Sequence, residues 1–238
     1  MEILILSSLL MTLVAMTAIE ATPDEEPLYE AKRREMVKTQ ICGRGITDSG
    51  TIEAMRRVPR HKFVPQHMRH LSYSDIALPI GMGQTISQPY IVALMTELLN
   101  VGKGDRVLEV GTGSGYQAAV LAEMGCDVYT IEIVEPLALH SRCVLREAGY
   151  TEIHFKVGDG YLGWEQHAPY DAIIVTAAPH EIPSPLIRQL KEGAKMVIPV
   201  GDEFQELILA TKKGDGIEEE KITPVKFVPM TGEAENQN

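Results

Sequence analysis

The stretch VLEVGTGSGYQAAVLA, residues 107–122, decides the fold. Branched apolar residues at its start predict a buried strand, and the residues after Gly115 favour a helix. Between them, Gly111, Gly113 and Gly115 let the backbone approach a ligand and leave the amides of the helix N-terminus directed at it. The stretch therefore predicts a nucleotide or nucleoside pocket at the carboxyl end of a strand.

Short β-branched runs alternate with helical segments from residue 105 onward. This alternation predicts an α/β fold of the Rossmann-like kind, with a mostly parallel sheet and helices on both faces. The strand candidates are DRVLEVG (105–111), DVYTIEI (127–133), IHFKVGD (153–159), YDAIIVTAA (170–178) and AKMVIPVG (194–201), with helical segments around 115–124, 135–148 and 184–192.

The two ends of the chain add further elements. ELILATK (206–212) and ITPVKFVPM (222–230) flank the turn GDG (214–216), so we expect an antiparallel pair and a mixed sheet edge. Before the core, an amphipathic helix over 28–42 and a second helix over 51–58, capped by Asp48 or Ser49, predict an N-terminal helical flank.

The chain's 238 residues suit one sizeable domain. We expect a single domain over 22–238, with the helical flank at 28–80 and the core at 81–232. Residues 1–21 form a hydrophobic leader typical of a signal-peptide core, although Glu2 stands where positive charge is usual. We expect no stable membrane association unless this leader is retained.

Charge and cysteine content exclude several classes of function. The net charge of -11 would repel phosphate backbones, so nucleic acid is not expected as a partner. Three cysteines without a CxxC pair predict neither a disulfide framework nor a zinc site. His67 and His70 lack a third ligand, so we expect no metal.

The spacing of the glycine loop separates two ligand classes. A dinucleotide fingerprint needs glycine at the sixth position from Gly111, where Tyr116 stands, which argues against a nicotinamide oxidoreductase. The pattern ExGxGxG from Glu109 instead resembles the first motif of S-adenosylmethionine-dependent methyltransferases. Carboxylates also end the next two strands: Glu132 could accept the ribose hydroxyls, and Asp159 the adenine amino group, with Gly160 leaving room for the ring.

The fourth strand bears on the methyl acceptor. Enzymes that methylate exocyclic amines or amides usually carry an Asn/Asp-Pro-Pro-aromatic motif there, whereas this chain reads TAAPHEIP at 176–183. A carboxylate acceptor, with an unperturbed pKa of about 4, is already ionised and needs positioning rather than a base. The sequence therefore favours a carboxylate acceptor.

A polar segment, GMGQTISQPYIV, lies at 81–92 in an apolar neighbourhood. Ser87 precedes Gln88 and Pro89 at the start of a helical run, which predicts that Ser87 caps the helix. A second interpretation, compatible with the first, is that the turn Thr85-Ile86-Ser87 lines the donor pocket and directs hydroxyl and amide groups at an incoming carboxylate.

The chain carries a series of motifs in a fixed order: VPRHKFVP, LPIGMGQTISQPYIVALMTELL, VLEVGTGSGYQAAVLA, GDG (158–160), YDAIIVTAAPHEIP, VIPVG and VKFVPM. Over residues 28–232 this series resembles the protein-L-isoaspartate O-methyltransferase family. The resemblance implies methylation of the free α-carboxylate of L-isoaspartyl residues in damaged proteins and peptides, a cytoplasmic location and a monomer. The leader leaves export to the periplasm open. The alternatives are a methyltransferase of another carboxylate or small molecule, and a donor-binding module without transfer.

The resemblance also implies roles for individual residues. Ser87 matches the active-site serine, and Gln88 would contact the substrate beside it. Thr85 and Ile86 would border the donor, S-adenosyl-L-methionine. The residues implied to hold the rest of the donor are Glu109, Gly111, Thr112, Gly113, Ser114, Gly115, Glu132, Asp159 and Gly160, and those implied to form a wall for the substrate backbone are Phe227, Val228, Pro229 and, more weakly, Thr231.

Overall fold

A seven-stranded mixed sheet forms the centre of the computed structural model, which describes residues 25–237. A separate hairpin, β1 (Leu78–Gly81) and β2 (Gln84–Ile86), precedes it. The sheet strands are β3 (Arg106–Val110), β4 (Asp127–Glu132), β5 (His154–Val157), β6 (Tyr170–Val175), β7 (Leu190–Val200), β8 (Gln205–Lys213) and β9 (Gly216–Val225), in the order β5-β4-β3-β6-β7-β8-β9. The helices are α1 (Glu26–Met36), α2 (Ser49–Arg57), α3 (Pro89–Leu99), α4 (Tyr116–Glu123), α5 (Glu135–Glu147) and α6 (Ser184–Gln189).

Strand direction follows the prediction of a mostly parallel sheet with a mixed edge. β3 pairs in parallel with β4 on one side and β6 on the other, whereas β7, β8 and β9 are antiparallel neighbours. The strands that follow β3 are added on both sides of it, β4 and β5 on one side and β6 and β7 on the other. The connections therefore diverge, and a crevice opens beyond the carboxyl ends of β3, β4 and β6. This topology places the glycine loop after β3 at that crevice.

Apolar side chains alternate between the two faces of each central strand and fill two cores. Val107 packs with helices α3 and α4 on one face, and Leu108 packs with α6 and Met230 on the other. Helices therefore cover both faces, as predicted. The flank belongs to the first core, because Met36 and Met55 are fully buried in it.

Helix boundaries differ from the predictions where tertiary contacts override local preference. The helix predicted over 28–42 begins at Glu26 and changes at Val37 to a π-helical turn, followed by a 3-10 turn over Cys42–Arg44. The helix predicted over 184–192 ends at Gln189, because Leu190 pairs with Tyr170 at the start of β7. Asp48 caps α2 as predicted: its carboxylate accepts the Thr51 amide proton at 2.6 Å.

The last strand was predicted too late in the chain. It runs over Gly216–Val225 rather than 222–230 and ends there because its partner β8 begins at Gln205, opposite Val225. Residues 226–230 continue outside the sheet, where Pro229 forms a bridge with Ala178. β9 is an outer strand of the sheet, and the acidic side chains of Glu218, Glu219 and Glu220 on it are exposed.

The hydrophobic leader predicted at residues 1–21 lies outside the described residues. In the part of the chain that the structure describes, no helix has the length and apolar content needed to span a bilayer.

Candidate active site

A cavity occupies the crevice beyond the carboxyl ends of β3, β4 and β6. It is surrounded by the turn after β2, the loops after β3, β4, β5 and β6, and the extended residues 228–231. The lining residues are Gln84, Thr85, Ile86, Ser87, Val92, Glu109, Val110, Gly111, Thr112, Gly113, Ser114, Tyr116, Gln117, Ile131, Glu132, Ile133, Val134, Gly160, Thr176, Ala177, Val228, Pro229, Met230 and Thr231.

The glycine loop is fixed against the neighbouring strands. The amides of Gly111 and Thr112 both donate to the carbonyl of Ile131, at 2.8 and 3.1 Å. Thr176, the residue that follows β6, donates its hydroxyl proton to the carbonyl of Gly111 at 2.6 Å. Gly111 has φ of +95°, and a Cβ there would lie 2.4 Å from the Thr176 Oγ1, so only glycine fits.

Glu132 is buried at the end of β4 and holds two loops in place. Its Oε2 accepts the Gly113 amide proton at 2.8 Å and its Oε1 accepts the Val134 amide proton at 2.9 Å. The carboxylate lines the cavity with its orientation set by these two backbone bonds. Carboxylate oxygens each have more than one lone pair, so Glu132 can still accept hydroxyl protons from a ligand.

Glu109 is wholly buried in β3 beneath the glycine loop. Its Oε2 accepts the Thr130 hydroxyl proton at 2.5 Å, and the hydroxyls of Thr130 and Thr112 are 2.6 Å apart. Within residues 25–237 its Oε1 has no hydrogen-bond partner. Burial raises the pKa of Glu109 to about 8. A buried carboxyl oxygen without a partner next to a cavity provides a position for a cationic group.

The segment after β5 contributes one lining residue and one supporting residue. Gly160 lines the cavity, where a Cβ would lie 2.4 Å from the Val110 Cγ1. Asp159 lies behind the lining: its Oδ1 accepts the Tyr161 amide proton at 2.9 Å, and its Oδ2 accepts the Glu233 amide proton at 2.7 Å. The proposed contact between Asp159 and adenine therefore stays a prediction.

Gly115 also lies outside the lining. It precedes α4 with φ of +88°, and a Cβ there would lie 2.8 Å from the Leu145 Cδ1. Gly115 therefore allows α4 and α5 to approach each other, a packing role that the glycine spacing alone did not reveal.

The Ser87 turn follows the β1–β2 hairpin and lines the first cavity together with the glycine loop. The prediction that Ser87 caps α3 is wrong: Gln88 occupies the cap position without a side-chain cap bond, and Pro89 is the first helical residue. Within the described residues the half-buried Ser87 hydroxyl has no hydrogen-bond partner. It is therefore free to donate to a ligand.

A second cavity adjoins the first at this turn. The two cavities meet where they share lining residues, namely Thr85, Ser87, Thr176 and Val228. The second cavity is lined by Ala77, Thr85, Ser87, Gln88, Ile91, Thr176, Pro224, Val225, Lys226, Phe227 and Val228. The predicted donor and substrate residues, except Gly115 and Asp159, line these two adjoining cavities, but Pro229 and Thr231, which were predicted to contact the substrate, line only the first.

Sequence reasoning missed two parts of this site. Thr176 follows β6 directly, so the strand-end rule that identified Glu132 could have identified it as well. Arg60, a buried residue of the flank, donates to the carbonyl of Ser87 at 2.7 Å, and no local sequence signal predicts that contact. In the described residues no group of three metal-ligating side chains occurs, and His67 and His70 are exposed.

The geometry fits an adenosyl sulfonium donor. The unpartnered Glu109 oxygen suits a positive charge, and the Glu132 carboxylate lines the cavity. Gly111 and Gly160 let the loops after β3 and β5 pack closely against Thr176 and Val110 at the cavity wall. Together with the β3-centred sheet, this site defines an S-adenosylmethionine-dependent methyltransferase.

Comparisons with known proteins identify the family within this class of methyltransferases. Residues 31–235 match the family described as Protein-L-isoaspartate(D-aspartate) O-methyltransferase. The chain therefore belongs to the protein-L-isoaspartate O-methyltransferase family. A relative of that name from Dictyoglomus thermophilum is 53% identical over 210 residues, which cover 88% of this chain and 95% of the relative. Protein-L-isoaspartate O-methyltransferase 2 of a Polaromonas species is 57% identical over 194 residues, covering 80% and 92%.

Two solved structures share the fold over most of this chain. A protein-L-isoaspartate O-methyltransferase superposes with a TM-score of 0.77 at 28% identity and covers 86% of this chain, which spans 66% of that one. A Plasmodium falciparum chain described as a member of the same family superposes with a TM-score of 0.72 at 26% identity, covering 85% and 98%. That second structure contains S-adenosyl-L-homocysteine, the demethylated form of the donor.

Proposed function

We propose that the protein transfers a methyl group from S-adenosylmethionine to the free α-carboxylate of L-isoaspartyl residues in damaged proteins and peptides. The observation that carries this proposal is the junction of the two cavities at Ser87, whose hydroxyl is unbonded within residues 25–237. The first cavity suits the donor, and the second is open to a polypeptide substrate.

The ionisable side chains at the junction agree with a carboxylate acceptor. Those lining the two cavities are Glu109, Tyr116, Glu132 and Lys226. Glu109 and Glu132 lie on the donor side, and burial raises the pKa of Tyr116, so its hydroxyl does not act as a base at neutral pH. An acceptor that is already ionised needs no base, so this set suits a carboxylate and not an amine that must first lose a proton.

The donor supplies an electrophilic methyl group on a sulfonium sulfur. The chain's own contribution is to hold donor and acceptor in line, which is the main source of rate enhancement when no proton has to move. The glycine loop and Glu132 hold the donor side. Ser87 can donate its hydroxyl proton to one oxygen of the incoming carboxylate, so that the other oxygen is directed at the methyl group.

The second cavity suits a polypeptide backbone. Residues 226–230 run extended along Ala178, which donates to the Val228 carbonyl at 2.8 Å and accepts the Met230 amide proton at 2.7 Å. Phe227 adds an apolar wall, and Lys226 adds a positive charge in a chain of net charge -11. These features support binding of a substrate chain with an anionic group near Ser87.

Repair follows from the chemistry of the product. The nitrogen of the neighbouring backbone amide can attack the carbonyl carbon of the methyl ester and expel methanol, which is a far better leaving group than the oxygen of a free carboxylate. The resulting succinimide is opened by water, in part to normal aspartate. We place this activity in the cytoplasm, where the donor is made, and in a monomer. Export through the leader remains the alternative location.

The test uses the full chain, labelled S-adenosylmethionine, and two peptides that differ only in an isoaspartyl or aspartyl residue at one site. We expect label in the isoaspartyl peptide as a base-labile ester and little in its twin. Equal labelling of both peptides, or donor binding without transfer to either, would contradict the proposal. The second outcome would leave a methyltransferase of another carboxylate or small molecule, or a donor-binding module.

A further inference from the structure

Arg60 connects the N-terminal flank to the Ser87 turn. It lies in a 3-10 turn over Arg60–Phe63, and its side chain is completely buried. Its Nε donates to the carbonyl of Ser72 at 2.7 Å, and its Nη2 donates to the carbonyl of Ser87 at 2.7 Å. One guanidinium therefore holds a backbone group of the flank and a backbone group of the site.

The same guanidinium also contacts the donor side of the site. It lies 4.8 Å from the ring centre of Tyr116, the first residue of α4, which lines the first cavity. A cation over an aromatic face is attracted by the ring, and the interaction is stronger away from water. Arg60 is therefore the point where the flank, the Ser87 turn and the helix after the glycine loop meet.

In residues 25–237, no backbone–backbone hydrogen bond of a turn, loop or cap involves Ser87. The last hairpin pair is Leu78 with Ile86, and the first bond of α3 runs from the Val92 amide to the Gln88 carbonyl. Ser87 lies between these two hydrogen-bonded elements. In the described part of the chain, Arg60 is the hydrogen-bond donor to the Ser87 carbonyl. The orientation of the Ser87 peptide thus depends on Arg60.

A buried arginine is a poor choice if its role is stability alone. Burial penalises the charged form, and replacing a buried ionic or polar group by a well-packed apolar one is often neutral or stabilising. The flank already has an extensive apolar core that includes Met36, Ile41 and Met55. A directional, two-bond donor is instead suited to fixing geometry.

We infer that Arg60 is a positioning residue for methyl transfer: it sets the orientation of Ser87 between the two cavities and makes that orientation depend on the docked flank. This inference rests on the proposed function, which makes Ser87 the residue that orients the acceptor carboxylate. Arg60 itself touches neither donor nor substrate, so it acts through Ser87.

Arg33 provides a matched control. It is also buried in the flank, with its Nε donating to the Arg56 carbonyl at 2.7 Å and its Nη1 to the Tyr73 hydroxyl at 3.1 Å. Its bonds stay within the flank and do not reach Ser87. Arg33→Met therefore removes a buried guanidinium of the same kind while leaving the Ser87 carbonyl bonded to Arg60.

The experiment compares wild type, Arg60→Met, Arg60→Lys and Arg33→Met as full chains. Steady-state kinetics on the isoaspartyl peptide are corrected for the folded fraction, and hydrogen exchange is followed at the amides of residues 85–88. We expect both Arg60 variants to lose at least about tenfold in kcat, with KM and donor affinity within about threefold, because misplacing a reacting group chiefly slows turnover. Exchange at 85–88 should accelerate in these variants and not in Arg33→Met.

Two results would overturn the inference: an Arg33→Met variant that loses as much kcat as Arg60→Met, or Arg60 variants with wild-type kcat and wild-type exchange at 85–88. If Arg60→Met does not fold, Arg60→Lys, which keeps the charge but loses the two-bond fork, decides on the same measurements. A wild-type chain that does not methylate the isoaspartyl peptide would contradict the proposed function, and hydrogen exchange would then still test whether Arg60 orders the Ser87 turn.

Discussion

The carboxylate of Asp159 accepts the backbone amide proton of Glu233 at 2.7 Å and thereby connects the segment after β5 to the C-terminal turn Gly232–Gln237. Its other oxygen accepts the Tyr161 amide proton. We expect Asp159→Ala to weaken donor binding, because both segments that border the Gly160 end of the cavity lose an anchor. Calorimetry with S-adenosyl-L-homocysteine measures the effect, and unchanged affinity would contradict a role for Asp159 at the donor site. Asp202→Ala, which removes an exposed aspartate bonded to His180, serves as the control.

Replacing Ser87 should lower the rate of turnover without changing donor affinity. Ser87→Ala removes a hydroxyl that is unbonded within the described residues, so we expect little change in folding stability and in donor affinity. Turnover of the isoaspartyl peptide should fall by about 10- to 100-fold, at or below the cost of removing one well-placed donor in other enzymes. Ser49→Ala, at an exposed serine of α2, should leave kcat unchanged. A Ser87→Ala enzyme with wild-type kcat would exclude Ser87 from orienting the acceptor.

Donor binding should depend on pH through Glu109. Burial raises the pKa of this carboxyl to about 8, so it is mostly protonated at pH 7 before the donor binds. A cationic donor favours the charged form, and binding should therefore release a proton and strengthen as the pH rises toward 8. Calorimetry in buffers of different ionisation enthalpy measures the released proton. Glu109→Gln should abolish this release, and a release that persists in the variant would assign it to another group.

Glu109 should also make the folded protein less stable as the pH rises, whereas the same rise in pH strengthens donor binding. The folded-state pKa of Glu109 lies above its unfolded value of 4.5, so its stabilising contribution is fully present below about pH 4.5 and is lost as the pH rises through about 8. Urea unfolding of wild type and Glu109→Gln at pH 6 and pH 9 checks the sign. We expect the wild type to lose more stability than the variant over this interval.

Acid should destabilise the flank through His61. This ring is fully buried, stacks on Tyr29 with centroids 4.2 Å apart, and bonds the Tyr73 hydroxyl at 2.8 Å. Burial, followed by the nearby charges of Arg33 and Lys62, lowers its pKa to about 4. Because the folded pKa lies below the unfolded value, the contribution of His61 is present above about pH 6.5 and is lost as the pH falls toward 4.

The expected loss of unfolding free energy between pH 7 and pH 5 is about 2 kcal/mol from this one group. His61→Phe keeps the stacking and cannot titrate, so its unfolding free energy should depend less on pH over that interval. His70→Phe, at an exposed histidine, should retain the wild-type dependence. Identical pH profiles for His61→Phe and wild type would show that the buried ring does not control acid stability.

The glycine loop should tolerate no side chain at Gly111. An added Cβ would lie 2.4 Å from the Thr176 Oγ1, and the backbone has φ of +95°. We expect Gly111→Ala to reduce stability by at least about 1–2 kcal/mol from the backbone conformation alone, with loss of donor binding. Gly45→Ala is the control, because it has the same φ of +95° and open space around the Cβ position. Equal effects of the two substitutions would assign the loss to φ alone and not to the contact with Thr176.

The parts of the site that follow strands could be predicted from the sequence. Gly111 and Glu132 come directly after or at the end of β-branched runs, and parallel strands bring their carboxyl ends to one edge. Ser87 carries no such signal: the residues alone left two interpretations open, a helix cap and a turn lining the donor pocket, and the resemblance to a family implied the active-site role. Its contact with Arg60 joins residues 27 positions apart through a buried guanidinium, which neither periodicity nor motif spacing encodes.

The strands and helix ends that were predicted wrongly also depend on contacts between residues distant in the sequence. The β1–β2 hairpin has strands of four and three residues around two glycines, too short for a period-two pattern to be recognised. The end of β9 is set by where its neighbour β8 begins, and the end of α6 by the pairing of Leu190 with Tyr170. Each boundary depends on a partner distant in the sequence, so local preference could not place it.

The acidic side chains of the outer strand β9 matter because the substrates of this family are polypeptides. Aged, partly unfolded polypeptides carry exposed backbone groups, and an uncovered sheet edge is a template on which such chains can add as further strands. The run Glu218–Glu220 places exposed carboxylates on this edge, while the opposite edge strand, β5, has only four residues. The enzyme can therefore meet damaged chains at its catalytic crevice without recruiting them along its own sheet into mixed aggregates.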